Sequence, residues 1–236
     1  MCPRNPWSQC FHQSNRRRLR KGPSLKIYAC YSDSHIPFLS KHFLLSLPTD
    51  MQAVLVHIPQ DCTTGSYRDP LWGSMAERKL RMVQTAIKNS DEDDPFFISD
   101  VDARFYGPLD EDLRACLGKS TIAAQNDGPG GMCSGCFVAR PSADLYDAID
   151  LAIKLLPEHS GHDQPAFNVA LDEIGIIPIT LPDRYWSHGA TAGVLWTPGM
   201  TVTPPTDLIV HQANWCIGIE NKLALLETVR AAKDNP

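Results

Sequence analysis

Phe96-Phe97-Ile98-Ser99 runs straight into Asp100-Val101-Asp102, so two carboxylates one residue apart follow a short apolar stretch. A run of this length behind Pro95 reads as a buried strand. Open α/β sheets place their ligands outside the carboxyl ends of the strands, which is where these acids would stand. Two carboxylates at i and i+2 can converge on one hard cation, with oxygens at about 2.1 Å for a magnesium-like ion. Left without a cation they repel each other and one of them resists ionisation. A divalent metal with a phosphorylated ligand is the first chemical reading. Two solvated acids at a strand end are the alternative.

Two later segments carry residues of matching chemistry. Gly161-His162-Asp163-Gln164-Pro165-Ala166-Phe167-Asn168 opens a helix, and Asp163 suits its N-cap. Ile209-Val210-His211-Gln212-Ala213-Asn214-Trp215, followed by Gly218 and Lys222, ends another short strand in a histidine. A neutral imidazole suits manganese and the transition metals, and it is equally at home as a satisfied core histidine. Cys133-Ser134-Gly135-Cys136 has the spacing of half a zinc site or a redox pair. No second such pair follows, so these two residues read as small buried thiols. Eight scattered cysteines do not make a disulfide scaffold.

The elements that must position these residues follow from periodicity. Lys26–Tyr31 predicts a first strand ended by Ser32-Asp33-Ser34-His35. Helical spacing over 36–47, a strand over 54–58 and a loop over 60–73 come next. Met75, Leu80, Val83 and Ile87 predict an amphipathic helix over 74–89 whose basic residues are Arg78, Lys79 and Arg81. A polar turn at 90–94 then delivers the acid-tipped strand. Beyond it the pattern predicts strands over 121–125 and 136–139 about a turn at 128–131. Helices over 143–156 and 164–173, strands over 176–179 and 209–211, and a last helix over 220–232 complete the reading. Strand, helix, strand, helix, strand is the opening of a doubly wound α/β fold.

Taken in chain order, the acid pair, the Asp163-Gln164…Asn168 helix start and the late His211…Gly218…Lys222 element resemble the GT-A nucleotide-diphospho-sugar glycosyltransferases. The likeness covers roughly residues 25–230 by motif order rather than by close identity. It implies a Rossmann-like, mixed and mostly parallel sheet flanked by helices in a single domain, with a nucleoside-diphosphate sugar (UDP- or GDP-linked) as donor. It further implies a manganese or magnesium ion held by Asp100, Asp102 and His211, with Lys222 near the diphosphate. Asp163 and Gln164 would flank the transferred sugar, and Asp163 would be the general base if the anomeric centre inverts. Retention is favoured over inversion by the resemblance to the histidine-containing branch. Tyr31, Ser32 and Asp33 would meet the base and ribose, and Lys79 would lie near the donor unless it belongs to an exposed basic face. Gly135 would bring backbone close to the donor sugar. Trp186, His188 and Trp215 are platforms for sugar or acceptor, or else core aromatics.

Composition bounds these readings. The 236 residues carry a net charge of −5, yet residues 1–21 hold six bases and no acid. The remainder therefore has 16 bases against 27 acids, or −11, which excludes a general nucleic-acid binder. Residues 1–24 read as a basic, disordered tail able to touch a membrane surface peripherally, and 25–236 as the domain. No run of roughly 18 apolar residues predicts a transmembrane helix, and the expected location is cytoplasmic. The acceptor would be a carbohydrate or glycoconjugate. Two rival readings are a haloacid-dehalogenase-type phosphatase, which also uses an acid pair after a strand, and a non-catalytic sugar-nucleotide-binding or lectin-like domain.

Overall fold

The computed structural model describes residues 24–65, 69, 71–91 and 93–234, so the basic segment expected as a tail lies outside the described residues up to position 23. The strands are β1 (Lys26–Tyr31), β2 (Gln52–His57), β3 (Phe96–Ser99), β4 (Ala103–Phe105), β5 (Ile122–Asn126), β6 (Met132–Ala139), β7 (Ile179–Thr180), β8 (Tyr185–Trp186) and β9 (Val210–Gln212). The α-helices are α1 (Ile36–Phe38), α2 (Leu44–Ser46), α3 (Trp72–Lys88), α4 (Asp110–Leu117), α5 (Ala143–Leu155), α6 (Asp163–Ile174), α7 (His188–Ala192) and α8 (Ile219–Asp234).

Six strands form the main sheet in the order β2-β1-β3-β6-β5-β7. β1 is parallel to β2 and β3, β6 is antiparallel to β3 and β5, and β7 is parallel to β5. Only β6 is reversed among the six, so the sheet is mixed and mostly parallel as expected. Alternate residues feed two cores. Ile27, Ala29, Phe97 and Val138 face one, which α4, α8 and the 33–46 segment cover. Tyr28, Phe96, Ile98 and Phe137 face the other, under α3, α5 and α6. All four residues of β3 are buried, as a central strand covered on both faces must be.

Several expectations need correction. The single helix over 36–47 is instead a 3-10 turn (Asp33–His35), α1, a π turn (Leu39–Phe43) and α2. Ser40 and Ser46 hydroxyls donate to the carbonyls of Ile36 and His42, at 2.9 and 2.7 Å, and so compete with the regular ladder. The strand around 136–139 starts four residues earlier, taking in the whole Cys133–Cys136 stretch. The strand expected over 176–179 is confined to β7. Asp163 is the first helical residue of α6 rather than its N-cap, which is His162. The strand expected over 209–211 is β9, but the second sheet it joins, in the order β4-β9-β8, went unforeseen because β4 and β8 have three and two residues, too few for a period to show.

Candidate active site

Asp100 and Asp102 leave the carboxyl end of β3, with Asp102 5% exposed. They line an open cleft together with Tyr31, Ser32 and His35 after β1, Lys79 of α3, Asp163 of α6 and Lys222 of α8. Sequence reasoning therefore placed Tyr31, Ser32, Lys79, Asp100, Asp102, Asp163 and Lys222 in one cavity. Asp33 is not among the lining residues: its carboxylate is exposed and meets His57 Nε2 at 2.9 Å. His35 was not foreseen. Its ring accepts or donates at Ser32 Oγ over 2.8 Å, and burial lowers its affinity for a proton.

The carboxylates are held by two ammonium groups. Lys79 Nζ lies 2.9 Å from Asp100 Oδ1 and 2.9 Å from Asp163 Oδ2. Lys222 Nζ meets Asp102 Oδ2 at 2.5 Å. Ser134 donates to the same Asp163 Oδ2 at 2.8 Å, and Gln212 Nε2 donates to Asp100 Oδ2 at 3.1 Å. Burial pushes the Asp163 carboxyl up, but Lys79 and the hydrogen bonds to the ionised form outweigh it and hold the group below the usual range. Asp102 follows the same logic with Lys222. Asp100 goes the other way: burial, with Asp102 and Asp163 nearby, keeps its proton on longer despite Lys79. Three carboxylates against two ammoniums leave the cleft floor with one negative charge in excess.

Gly135 serves Asp100 directly. A Cβ at this position would stand 2.0 Å from Asp100 Oδ2 and 2.8 Å from Gln212 Nε2, so only glycine leaves room for the carboxylate. Its carbonyl also accepts from Asp100 N at 2.8 Å.

For a divalent cation the donors fit in kind. Asp102 Oδ1 is buried without a hydrogen-bond partner, and so are both ring nitrogens of His211. Burial drives the His211 imidazole down to about 3, so it is neutral and able to ligate, and Asp102 is close enough to act on it electrostatically. As arranged, no three His, Cys, Asp or Glu side chains converge on one point among the described residues. The His211 ring lies 5.3 Å from that of Trp186, fully buried in β9.

Asp127 is a second residue absent from the sequence reading. It follows β5, is 7% exposed, and collects three donors: Gln164 Nε2 at 2.9 Å, Trp215 Nε1 at 3.0 Å and Asn214 Nδ2 at 3.3 Å. Gln164 also donates to Gly130 O at 3.0 Å, so it braces the 127–131 turn. Asn214 reaches Cys133 Sγ at 3.2 Å, and Cys133 in turn meets Gln212 Oε1 at 3.4 Å. Cys133 and Cys136 are buried free thiols, and burial raises both well above the ordinary thiol range. The only sequence signal for Asp127 was its place just before Gly128-Pro129-Gly130-Gly131.

No protein-family model and no curated protein matches the sequence. Solved structures do match the fold. A glycosyltransferase involved in the glycosylation of the major capsid of PBCV-1 superposes with a TM-score of 0.56 at 10% identity, over 87% of this chain and 100% of that one. The galactosyltransferase LgtC, solved with donor and acceptor sugar analogs, gives 0.52 at 12% identity over 86% and 95%. The glycosyltransferase GlyE of Streptococcus pneumoniae TIGR4 gives 0.51 at 17% identity over 73% of this chain. The chain spans about half the length of GlyE, 49%. The chain has the α/β fold of these glycosyltransferases. No helix among the described residues is long and apolar enough to cross a membrane.

Proposed function

We propose that this chain is a glycosyltransferase that takes a sugar from a nucleoside diphosphate (UDP or GDP) and passes it to an acceptor hydroxyl. The observation that carries the proposal is the meeting of Asp100, Asp102 and Asp163 with Lys79 and Lys222 at the carboxyl end of β3, in a cleft of a glycosyltransferase-like fold. Breaking the sugar–phosphate bond builds negative charge on the leaving diphosphate, and fixed cations aimed at that position lower the barrier. Lys222, among the residues lining the cleft, would be one such point charge.

A floor with excess negative charge repels a diphosphate unless a cation accompanies it. Asp100, Asp102 and His211 are the residues that would hold a manganese or magnesium ion, which would act as a Lewis acid toward the diphosphate. Tyr31, Ser32 and His35, which line the cleft after β1, would meet the nucleoside; Asp33 lies outside the lining.

Asp163 is a weak base. Its Oδ2 already accepts from Lys79 and Ser134, and its carboxyl is held below the usual range. The acceptor proton then has a better destination in the departing diphosphate oxygen, which supports retention of anomeric configuration. Gln164 acts through Asp127 as a positioning residue.

Release of labelled sugar from UDP- and GDP-sugars, with manganese and with chelator, tests the reading. Turnover should require the ion, Asp102→Ala should abolish it, and His211→Ala should raise the manganese concentration needed. Equal turnover in Asp102→Ala, or phosphate release from simple phosphoesters instead, would overturn it. A non-catalytic binding domain would show tight donor binding with no release at all.

A further inference from the structure

We infer that Trp215 is the platform on which the acceptor rests, and that the acceptor offers it the face of a neutral carbohydrate ring; the assignment to an acceptor rests on the transfer reading above. Trp215 has a φ of 58°. A bulky side chain adopts this left-handed conformation only where its surroundings impose it, and such residues cluster at ligand sites. Three contacts impose it here. The indole Nε1 donates to Asp127 Oδ1 at 3.0 Å, and the Trp215 carbonyl accepts from Trp196 N at 2.7 Å. Gly189 of α7 lies against the root of the ring, since a Cβ there would stand 1.7 Å from Trp215 Cγ.

Packing alone does not explain the arrangement. Trp186 and Trp196 are core residues, 6% and 2% exposed, while the strained Trp215 stays half-buried. One shared carboxylate ties it to the helix that carries Asp163. Asp127, which fixes the indole, also holds Gln164, the neighbour of Asp163. The Asp127 carboxylate accepts from Gln164, Asn214 and Trp215, all neutral donors, so a negative charge stays beside the half-buried indole. A rigid indole of this kind suits the C–H face of a pyranose, with little rotamer freedom left to lose on binding. It does not suit a phosphorylated or acidic acceptor.

Fluorine NMR on protein labelled with 5-fluorotryptophan tests the inference, with lactose, maltose and cellobiose as probes and Trp215→Phe used to assign the resonance among the five tryptophans. At least one disaccharide should shift the Trp215 resonance while leaving those of the core tryptophans in place. Trp215→Gly removes the ring at a backbone position that glycine adopts without strain. It should weaken disaccharide binding about tenfold or more, the fold-change that corresponds to about 1.4 kcal/mol. Silence of the Trp215 resonance with all three sugars, or equal binding by Trp215→Gly, overturns the platform. Binding at Trp215 by a wild type that takes no nucleotide sugar would overturn the transfer reading and leave Trp215 as a carbohydrate site alone.

Discussion

Two groups of titratable side chains sit behind the same strand ends and are buried to a similar degree, yet they meet that burial in opposite ways. Asp102 and Asp163, 5% and 9% exposed, are each paired with a lysine. His211 and His188, 0% and 7% exposed, leave three ring nitrogens without a partner. A buried carboxylate that stays ionised must have a counter-charge, because the desolvation cost is several kcal/mol. An imidazole escapes that cost by remaining neutral, and burial lowers both histidines. The paired side holds its charges in place, and the unpaired side leaves buried ring nitrogens without a partner, as the proposed ion site would need at His211.

The comparison breaks most visibly if a counter-charge is removed. Lys79→Met leaves Asp100 and Asp163 buried beside only neutral donors, and it should cost about 3–5 kcal/mol in urea unfolding. A loss below about 1 kcal/mol would mean that the pairs are incidental. Gly135→Ala should come next, at about 1–3 kcal/mol, because the added methyl forces the Asp100 carboxylate off its position. Donor turnover in this variant should fall further than its stability does.

The neutral side is sharpened by pH. His211 takes up a proton near 6.5 when unfolded but only near 3 when folded. Between those values the unfolded chain binds more protons, so stability is complete above about pH 6.5 and drains as pH falls toward 3. The slope from this one residue is about 1.4 kcal/mol per pH unit. Denaturation of His211→Leu in chelator from pH 7 to 4.5 should show a slope shallower by that amount; an unchanged slope would place the ring in a wetter setting. The smallest effect belongs to Asp33→Ala. It and its partner His57 are both exposed, and surface pairs contribute little. Donor affinity should stay within about twofold, by titration calorimetry.

Much of the paired side was legible in the sequence. The apolar run into Asp100-Val101-Asp102 gave the strand and the acids together. Lys79 and Lys222 were readable too, had helical phase been applied to charges. Lys79 lies three and four residues after the buried Ala76 and Met75, and Lys222 three and four before the buried Leu225 and Leu226. Both ammoniums therefore occupy the inward stripe of their helices, whereas the exposed Arg81 does not. Asp33 followed the first strand by the same logic that found Tyr31 and Ser32, but the 3-10 turn at 33–35 carries it away to His57. The unpaired side was legible only in part. The apolar run into His211 gave β9, but β4, β8 and α7 are held by partners distant along the chain, as when β4 pairs with β9 more than a hundred residues later, and no local pattern announces them.

The central claim is that a cation and a nucleoside diphosphate enter this cleft together. Calorimetric titration of UDP and GDP into the wild-type chain, with manganese and then with chelator, tests it most directly. One of the two nucleotides should bind at least about tenfold more tightly with the ion present, a difference of about 1.4 kcal/mol, and Asp102→Ala should erase that difference. Equal affinity in chelator, or no binding of either nucleotide under both conditions, would contradict the account.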